Sequence, residues 1–257
     1  MKISSEKRQA YGRYLIYLVL LVLLILAWEK AADNSNFRLL MSSPSLICEY
    51  FGENFPALLT ATYATLYESV IGLLIAIAFS FLIMIICFYI PRLMEFVLPV
   101  MITSQVIPLI TLAPLFILLF GIGYTSKIMM AALICFFPIF INFANGARLI
   151  SRNIHELMYI YNASKTQMIL RVYFPLSTPH IISGLKIAAT LAVIGAIVAE
   201  FNGTEVGLGK NLFLSAKRLE PELMMCSLIL SSILGGSLYA MIYFLELRIG
   251  KWYLKNN

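Results

Sequence analysis

The sequence predicts an all-helical membrane protein of about six spans, and three observations carry that prediction. Hydrophobic residues make up 61% of the 257 residues and charged residues 12%, about half the roughly 25% charge of soluble domains. The charges are spaced so as to leave long uninterrupted apolar runs. The lysines and arginines also divide unevenly between alternate sides of the predicted helices. The mean hydropathy of +0.88 agrees.

Four charge-free runs read as spans: Ser69 to Pro91, Phe96 to Ser126, Ile128 to Ala147 and Leu223 to Leu245. A charge at the bilayer centre costs about 2.5 kcal/mol or more, so such runs mark segments selected for hydrocarbon. Each is long enough to cross about 30 Å as a helix rising about 1.5 Å per residue. Two shorter runs, Tyr14 to Trp28 and Ile187 to Ala199, extend to full length if Arg13 and Lys186 snorkel toward headgroups and Trp28 and Phe201 reach the other interface.

The first of these has a rival reading. Lys2, Lys7, Arg8 and Arg13 ahead of a short apolar core also describe a signal peptide, but Ala27 to Asp33 lacks a small-x-small cleavage site, and Trp28, Glu29 and Lys30 suit a retained anchor better. Residues 29 to 57, with Asp33, Asn34, Pro44 and Pro56, read as an external segment with a short helix after Pro44.

With the N-terminus inside, thirteen basic residues fall on the cytoplasmic side, and Lys30, Arg38, Lys127, Lys210, Lys217 and Arg218 fall outside. That asymmetry predicts cytoplasmic termini. It also accounts for the net charge of +6, so no nucleic-acid partner is expected. Cys48, Cys87, Cys135 and Cys226 are scattered, and His155 and His180 have no neighbouring ligand motif. Neither a disulfide, a metal site nor a cofactor is expected.

Spans two and three are joined by a tight turn at Tyr89, Pro91 and Arg92. Gly121 to Lys127 breaks the run from Phe96 to Ala147 into two helices. Pro99, Pro108, Pro114 and Pro138 interrupt spans three and four; they either kink ordinary helices or open a path between two gated states.

Residues 148 to 186 form the one long polar interruption between spans, between the fourth and the fifth. Within it Leu157, Ile160, Tyr161 and Ser164 fall at i, i+3, i+4 and i+7 and give a short helix one largely apolar face. Such a face suits either a partner's groove or the membrane surface.

The same loop carries Glu156-Leu157-Met158, then Asn162, Ala163 and Ser164, then Val172, Phe174 and Pro175. Here the chain resembles the membrane subunits of binding-protein-dependent ABC importers, whose cytoplasmic loop reads EAA, three residues, G, nine residues, I-x-LP. The spacing matches without a gap. Leu157 and Met158 replace the alanines and Asn162 the glycine; Asn is the residue that next best tolerates the left-handed backbone of a sharp turn.

Further stretches extend the resemblance over about residues 58 to 250, toward the nitrate, sulfonate, taurine and thiamine-precursor branch. They include Pro108, Leu112-Ala113-Pro114, Gly121-Ile122-Gly123, Gly184-Leu185-Lys186, Ala199-Glu200-Phe201 and Gly207-Leu208-Gly209. That resemblance implies a permease domain over 58–250 with a coupling loop at 148–180, preceded by a cytoplasmic terminus at 1–13 and a first span with its external segment at 14–57, and followed by a tail at 251–257. It implies a homodimer in the bacterial inner membrane, a cytoplasmic ATPase dimer docked on Glu156, Leu157, Ile160, Tyr161, Asn162, Ala163, Ser164 and Pro175, and a periplasmic or lipid-anchored substrate-binding protein. Catalysis would reside in the ATPase, not in this chain.

Four polar groups within the predicted spans are candidates for the solute pathway: Glu68, Gln105, Asn142 and Glu200. Glu200 suits either a gate or the membrane interface, and Gln105 either the pore or a bond to a neighbouring helix. Where the branch often carries an arginine, between Thr65 and Gly72, this chain has Glu68. That departure points away from an anionic sulfonate or nitrate and toward a neutral or cationic heterocycle.

Two other classes fit less well. A stand-alone secondary transporter or channel would usually show internal repeats or paired intramembrane charges; the chain has no convincing repeat, and that reading leaves the Glu156 to Pro175 loop unexplained. An intramembrane enzyme would need a catalytic pair or metal cluster at membrane depth. Gly203 to Lys210 only superficially resembles a phosphate loop, since its spacing fails and Asn211 replaces the required hydroxyl.

Overall fold

A computed structural model describes residues 16–17, 19–20, 22–32, 42–201 and 205–255. The expected cytoplasmic terminus 1–13, part of the first span and external segment, and residues 202–204 lie outside the described residues. Every regular element among those described is helical. Helix α1 comprises described residues between 16 and 32. It is followed by α2 (Pro44–Glu53), α3 (Phe55–Tyr89), α4 (Pro91–Ser104), α5 (Leu109–Phe120) and α6 (Tyr124–Arg148). Then come α7 (Arg152–Ile160), α8 (Lys165–Met168), a π-helical turn (Ile169–Tyr173), α9 (Phe174–Glu200), α10 (Leu208–Arg218) and α11 (Pro221–Lys255).

Four segments are long and apolar enough to cross a membrane: Phe55–Tyr89, Tyr124–Arg148, Lys165–Glu200 and Pro221–Arg248. The third expected span is instead two short helices, α4 and α5, broken at Gln105 to Pro108. Pro108 has no N–H for the preceding turn, and it disfavours helical backbone at Ile107. Backbone bonds of the i to i−3 kind compensate at the break: the Gln105, Val106 and Ile107 N–H groups donate to the Ile102, Thr103 and Ser104 carbonyls at 3.3, 3.1 and 3.3 Å.

The chain divides into two compact units, Met1–Leu59 with Asn211–Ile229, and Thr60–Lys210 with Leu230–Asn257. In the first, the helix expected after Pro44 is α2. Pro44 sits at its first turn, and the Ser43 hydroxyl accepts from the Leu46 N–H, as N-terminal helix chemistry requires. Glu29 reaches the same end, accepting from the Ser45 hydroxyl at 2.5 Å and the Ser45 N–H at 3.2 Å; the positive end of the helix dipole favours that carboxylate. Ser42 donates to Glu222, and Cys226 to the Ile47 carbonyl.

The second unit is organised by α6 against α9, its most extensive helix pair. Lipid offers no hydrophobic gain for bringing two apolar helices together, so their association rests on close packing of small residues. Ala131, Ala144, Ala188, Ala189, Ala192 and Ala196 are all fully buried. At Gly184 a Cβ would lie 2.8 Å from the Pro138 carbonyl oxygen, so only glycine allows this approach. Pro138 lies within α6 and lacks the N–H that would continue the helix ladder. Asn142 Nδ2 donates to its carbonyl at 2.8 Å, so this intramembrane amide is satisfied within its own helix. Lys186, expected to reach headgroups, is instead ion-paired with Glu246 of α11 and lies 5.3 Å from the Tyr243 ring centroid.

Candidate functional site

The polar interruption after α6 is more ordered than its composition suggests. Helix α7 begins at Arg152, whose Nε donates to Glu156 Oε1 at 2.9 Å on an exposed i, i+4 pair. It ends through a Schellman arrangement: the Asn162 N–H donates to the Tyr159 carbonyl at 2.9 Å and the Ala163 N–H to that of Met158 at 3.0 Å. Asn162 has φ 51°, the left-handed conformation anticipated for it, which closes the ring of bonds.

One residue later the chain starts a new helix. Ser164 Oγ accepts from the Gln167 N–H at 3.3 Å, while Gln167 Oε1 accepts from the Ser164 N–H at 2.9 Å, a complete capping box. The apolar face expected through Ser164 therefore stops at Tyr161, because the left-handed residue ends the helix and Ser164 caps its successor. No residue of α7 is buried, and Tyr159, Ile160 and Tyr161 are each at least three-quarters exposed. A large apolar surface on a short helix whose C-terminal turn is pinned suits a docking element.

From α8 the chain runs helically to Glu200, but through the π-turn at Ile169–Tyr173. Such turns carry one extra residue and recur at functional sites. Here the turn buries Ile169 and Val172 and turns Tyr173 toward α3 and α7. The Tyr173 ring lies 5.7 Å from that of His155 in α7 and 4.1 Å from that of Phe88 in α3. Phe174 continues the chain, 5.5 Å from Phe81 and 5.1 Å from Phe143. Tyr89, at the end of α3, shares a 2.9 Å hydrogen bond with Thr166. Thus α7 is joined by aromatic contact to the apolar core of α3 and α6. Pro175 is half-buried in the first turn of α9, where its missing N–H costs nothing.

The four pathway candidates separate. Gln105 is exposed at the break between α4 and α5, and Asn142 is half-buried. Glu68 and Glu200 are buried and come together, at the end of unit two remote from α7. Lys127, one turn into α6, donates to Glu68 Oε1 at 2.5 Å. Glu200 Oε1 accepts from Thr65 Oγ1 at 2.7 Å and Oε2 from the Gly209 N–H at 2.5 Å; the Leu208 N–H donates to Thr65 Oγ1 at 2.9 Å. Gly207 adopts φ +153°, and a Cβ there or at Gly209 would strike the Glu200 carboxylate, so the Gly207–Gly209 turn is shaped around that group. Since Lys127 answers the Glu68 charge within the protein, Glu68 gives no support to a cationic solute in this conformation.

Lys127 escaped sequence reasoning, which set it in an external loop. A signal was present: it is the single charge between two long apolar runs, as Glu68 is the last charge before another.

Residues 89–251, more than half of the chain, match the family described as binding-protein-dependent transport system inner membrane component. The chain belongs to this family. It is similar to the formylaminopyrimidine transport permease of Halalkalibacterium halodurans, 36% identical over 186 residues that cover 72% of this chain and 74% of that protein. It is also similar to the riboflavin transport system permease of Chloroflexus aurantiacus, 37% identical over 154 residues, 60% of this chain and 58% of that one. The nitrate import permease of Synechococcus elongatus is 28% identical over 111 residues, 43% of this chain and 40% of that one. This membrane protein is accordingly an ABC-importer permease of the branch that the sequence resembled, and its relatives are transport permeases rather than enzymes.

Proposed function

We propose that this permease forms, as a homodimer, the translocation pathway for a small polar solute, and that α7 couples it to a cytoplasmic ATPase dimer. The carrying observation is α7 itself: an exposed apolar helix, capped at its C-terminal turn and in ring contact with the apolar core through Tyr173. Glu156, Leu157, Ile160, Tyr161, Asn162 and Ala163 form the docking helix and its turn, Ser164 starts the following helix, and Pro175 starts the span. Both termini and α7 lie on the cytoplasmic side, and a periplasmic or lipid-anchored binding protein delivers solute at the opposite face.

In this reading ATP binding draws the two α7 helices together, and hydrolysis lets them part. The permease contributes two packings of the same helices, with ATP biasing their populations. The proposed solute is a pyrimidine or other thiamine-precursor heterocycle, supported by the 36% identity to a formylaminopyrimidine permease. Gln105, at the interrupted third span, and Asn142 are proposed to line the path, and Glu68 and Glu200 to govern access to it.

Co-purification in mild detergent tests the coupling. An ATPase encoded beside this gene should be retained by the native chain and lost with Ala163→Glu, while both chains insert equally. Reproducible absence of any ATPase would instead favour a transporter working alone.

A further inference from the structure

Two carboxylates and an ammonium, each less than a tenth exposed, meet where α3, α6 and α9 come together. Buried ionised groups are retained where partners offset their desolvation and where they serve a function. Packing alone would be better served by apolar side chains of similar size. The cluster is also internally opposed. Lys127 faces two carboxyl groups that interact with each other, and Glu68 Oε2 accepts no hydrogen bond among the described residues. Attraction closes the contact while like-charge repulsion limits how firmly it holds, which suits a contact made and broken in a cycle.

Its position suits the same role. Lys127 is one turn into α6 and Glu200 is the last residue of α9, whereas α7 joins the opposite ends of those two helices. A rigid tilt of α6 against α9 imposed at α7 would change the spacing at the cluster.

We infer that Lys127 is a gating residue of the transporter: its salt bridge to Glu68, backed by Glu200 and Thr65, latches the end of the bundle remote from α7 and breaks each time that end opens. The inference rests on the proposed coupling through α7.

The test uses the permease–ATPase complex in lipid nanodiscs, with Ser69→Cys as reporter in a Cys48→Ser background. Ser69 is fully buried one residue from Glu68, and Cys48 is exposed. With the native latch, Cys at 69 should resist a water-soluble thiol reagent. Lys127→Met should raise its labelling rate, and ATP hydrolysis without binding protein, by at least about tenfold, the factor that 1.4 kcal/mol gives. The exchanged pair Glu68→Lys with Lys127→Glu should return both toward native values. Native labelling in Lys127→Met, or an exchanged pair indistinguishable from it, would overturn the latch.

If Lys127→Met fails to fold, Thr65→Cys with Leu208→Cys keeps all three charges. Its oxidation to a disulfide should stop uptake and a reductant should restore it; uptake that continues when fully cross-linked overturns the proposal. A complex in which no form hydrolyses ATP would contradict the coupling reading instead, and Ser69→Cys labelling, which needs no ATPase, would still decide the latch.

Discussion

The two ends of the second unit carry the same chemistry in opposite settings. At one end Arg152 and Glu156 form an ion pair that is mostly exposed, on a helix with no buried residue. At the other, Lys127 and Glu68 form an ion pair that is almost wholly buried. Exposed pairs are worth about 0–1 kcal/mol, because water and salt screen them. Breaking a buried pair from one side leaves an uncompensated charge and costs several kcal/mol. An acid in this sequence therefore has no fixed meaning: Glu156 stands on an exposed helix face, while Glu68 is consumed inside the fold.

The comparison predicts a graded series. Lys127→Met should be the most damaging, lowering stability by about 3–5 kcal/mol, read as a lower midpoint of thermal unfolding in detergent. If the loss instead matched that of an exposed pair, the two ends would not differ as described. Gly184→Val comes next. Its side chain meets the Pro138 carbonyl and Asn142, and overpacking of this kind costs about 1–3 kcal/mol; resistance to limited proteolysis should fall, with no effect expected from the smaller change at exposed Gly52.

Asn162→Val should cost about 1–2 kcal/mol, because a β-branched residue is strained at φ 51°. Asn162→Gly should match the native protein in ATPase retention, and a Val variant that also matched it would mean that the turn does not orient α7. Glu156→Ala should be the mildest for folding, with a stability change under about 1 kcal/mol. Uptake should nevertheless fall, which separates docking from folding.

Much of this contrast was legible in sequence. The apolar runs at Ser69 to Pro91, Ile128 to Ala147 and Leu223 to Leu245 fall in helices long enough to span, Pro44 located α2, and Asn162 announced the left-handed turn. These are local signals, in which a residue's own backbone preference or transfer energy decides the outcome. Where partners decide, the sequence was less informative. Ser164 fits an apolar helical face by spacing, but the turn at Asn162 makes it the cap of the next helix. Lys127 looked like a loop cation, because the acid that holds it is 59 residues away. The π-turn has no marker in the sequence, since Ile169 to Tyr173 reads as ordinary helix and only Tyr173 packing between His155 and Phe88 reveals its register. Pro108 advertised a break in the third span, but not the tightened turn of Gln105, Val106 and Ile107 onto the Ile102, Thr103 and Ser104 carbonyls that ends α4 there.

The central claim, that α7 links this permease to ATP hydrolysis, is tested most directly by solute uptake into proteoliposomes holding the permease, its ATPase and binding protein. ATP should drive accumulation of a formylated aminopyrimidine by the native complex, and Ala163→Glu should abolish that accumulation in vesicles where the permease is present at native levels. Uptake that proceeds without ATP, or equally well with Ala163→Glu, would contradict it.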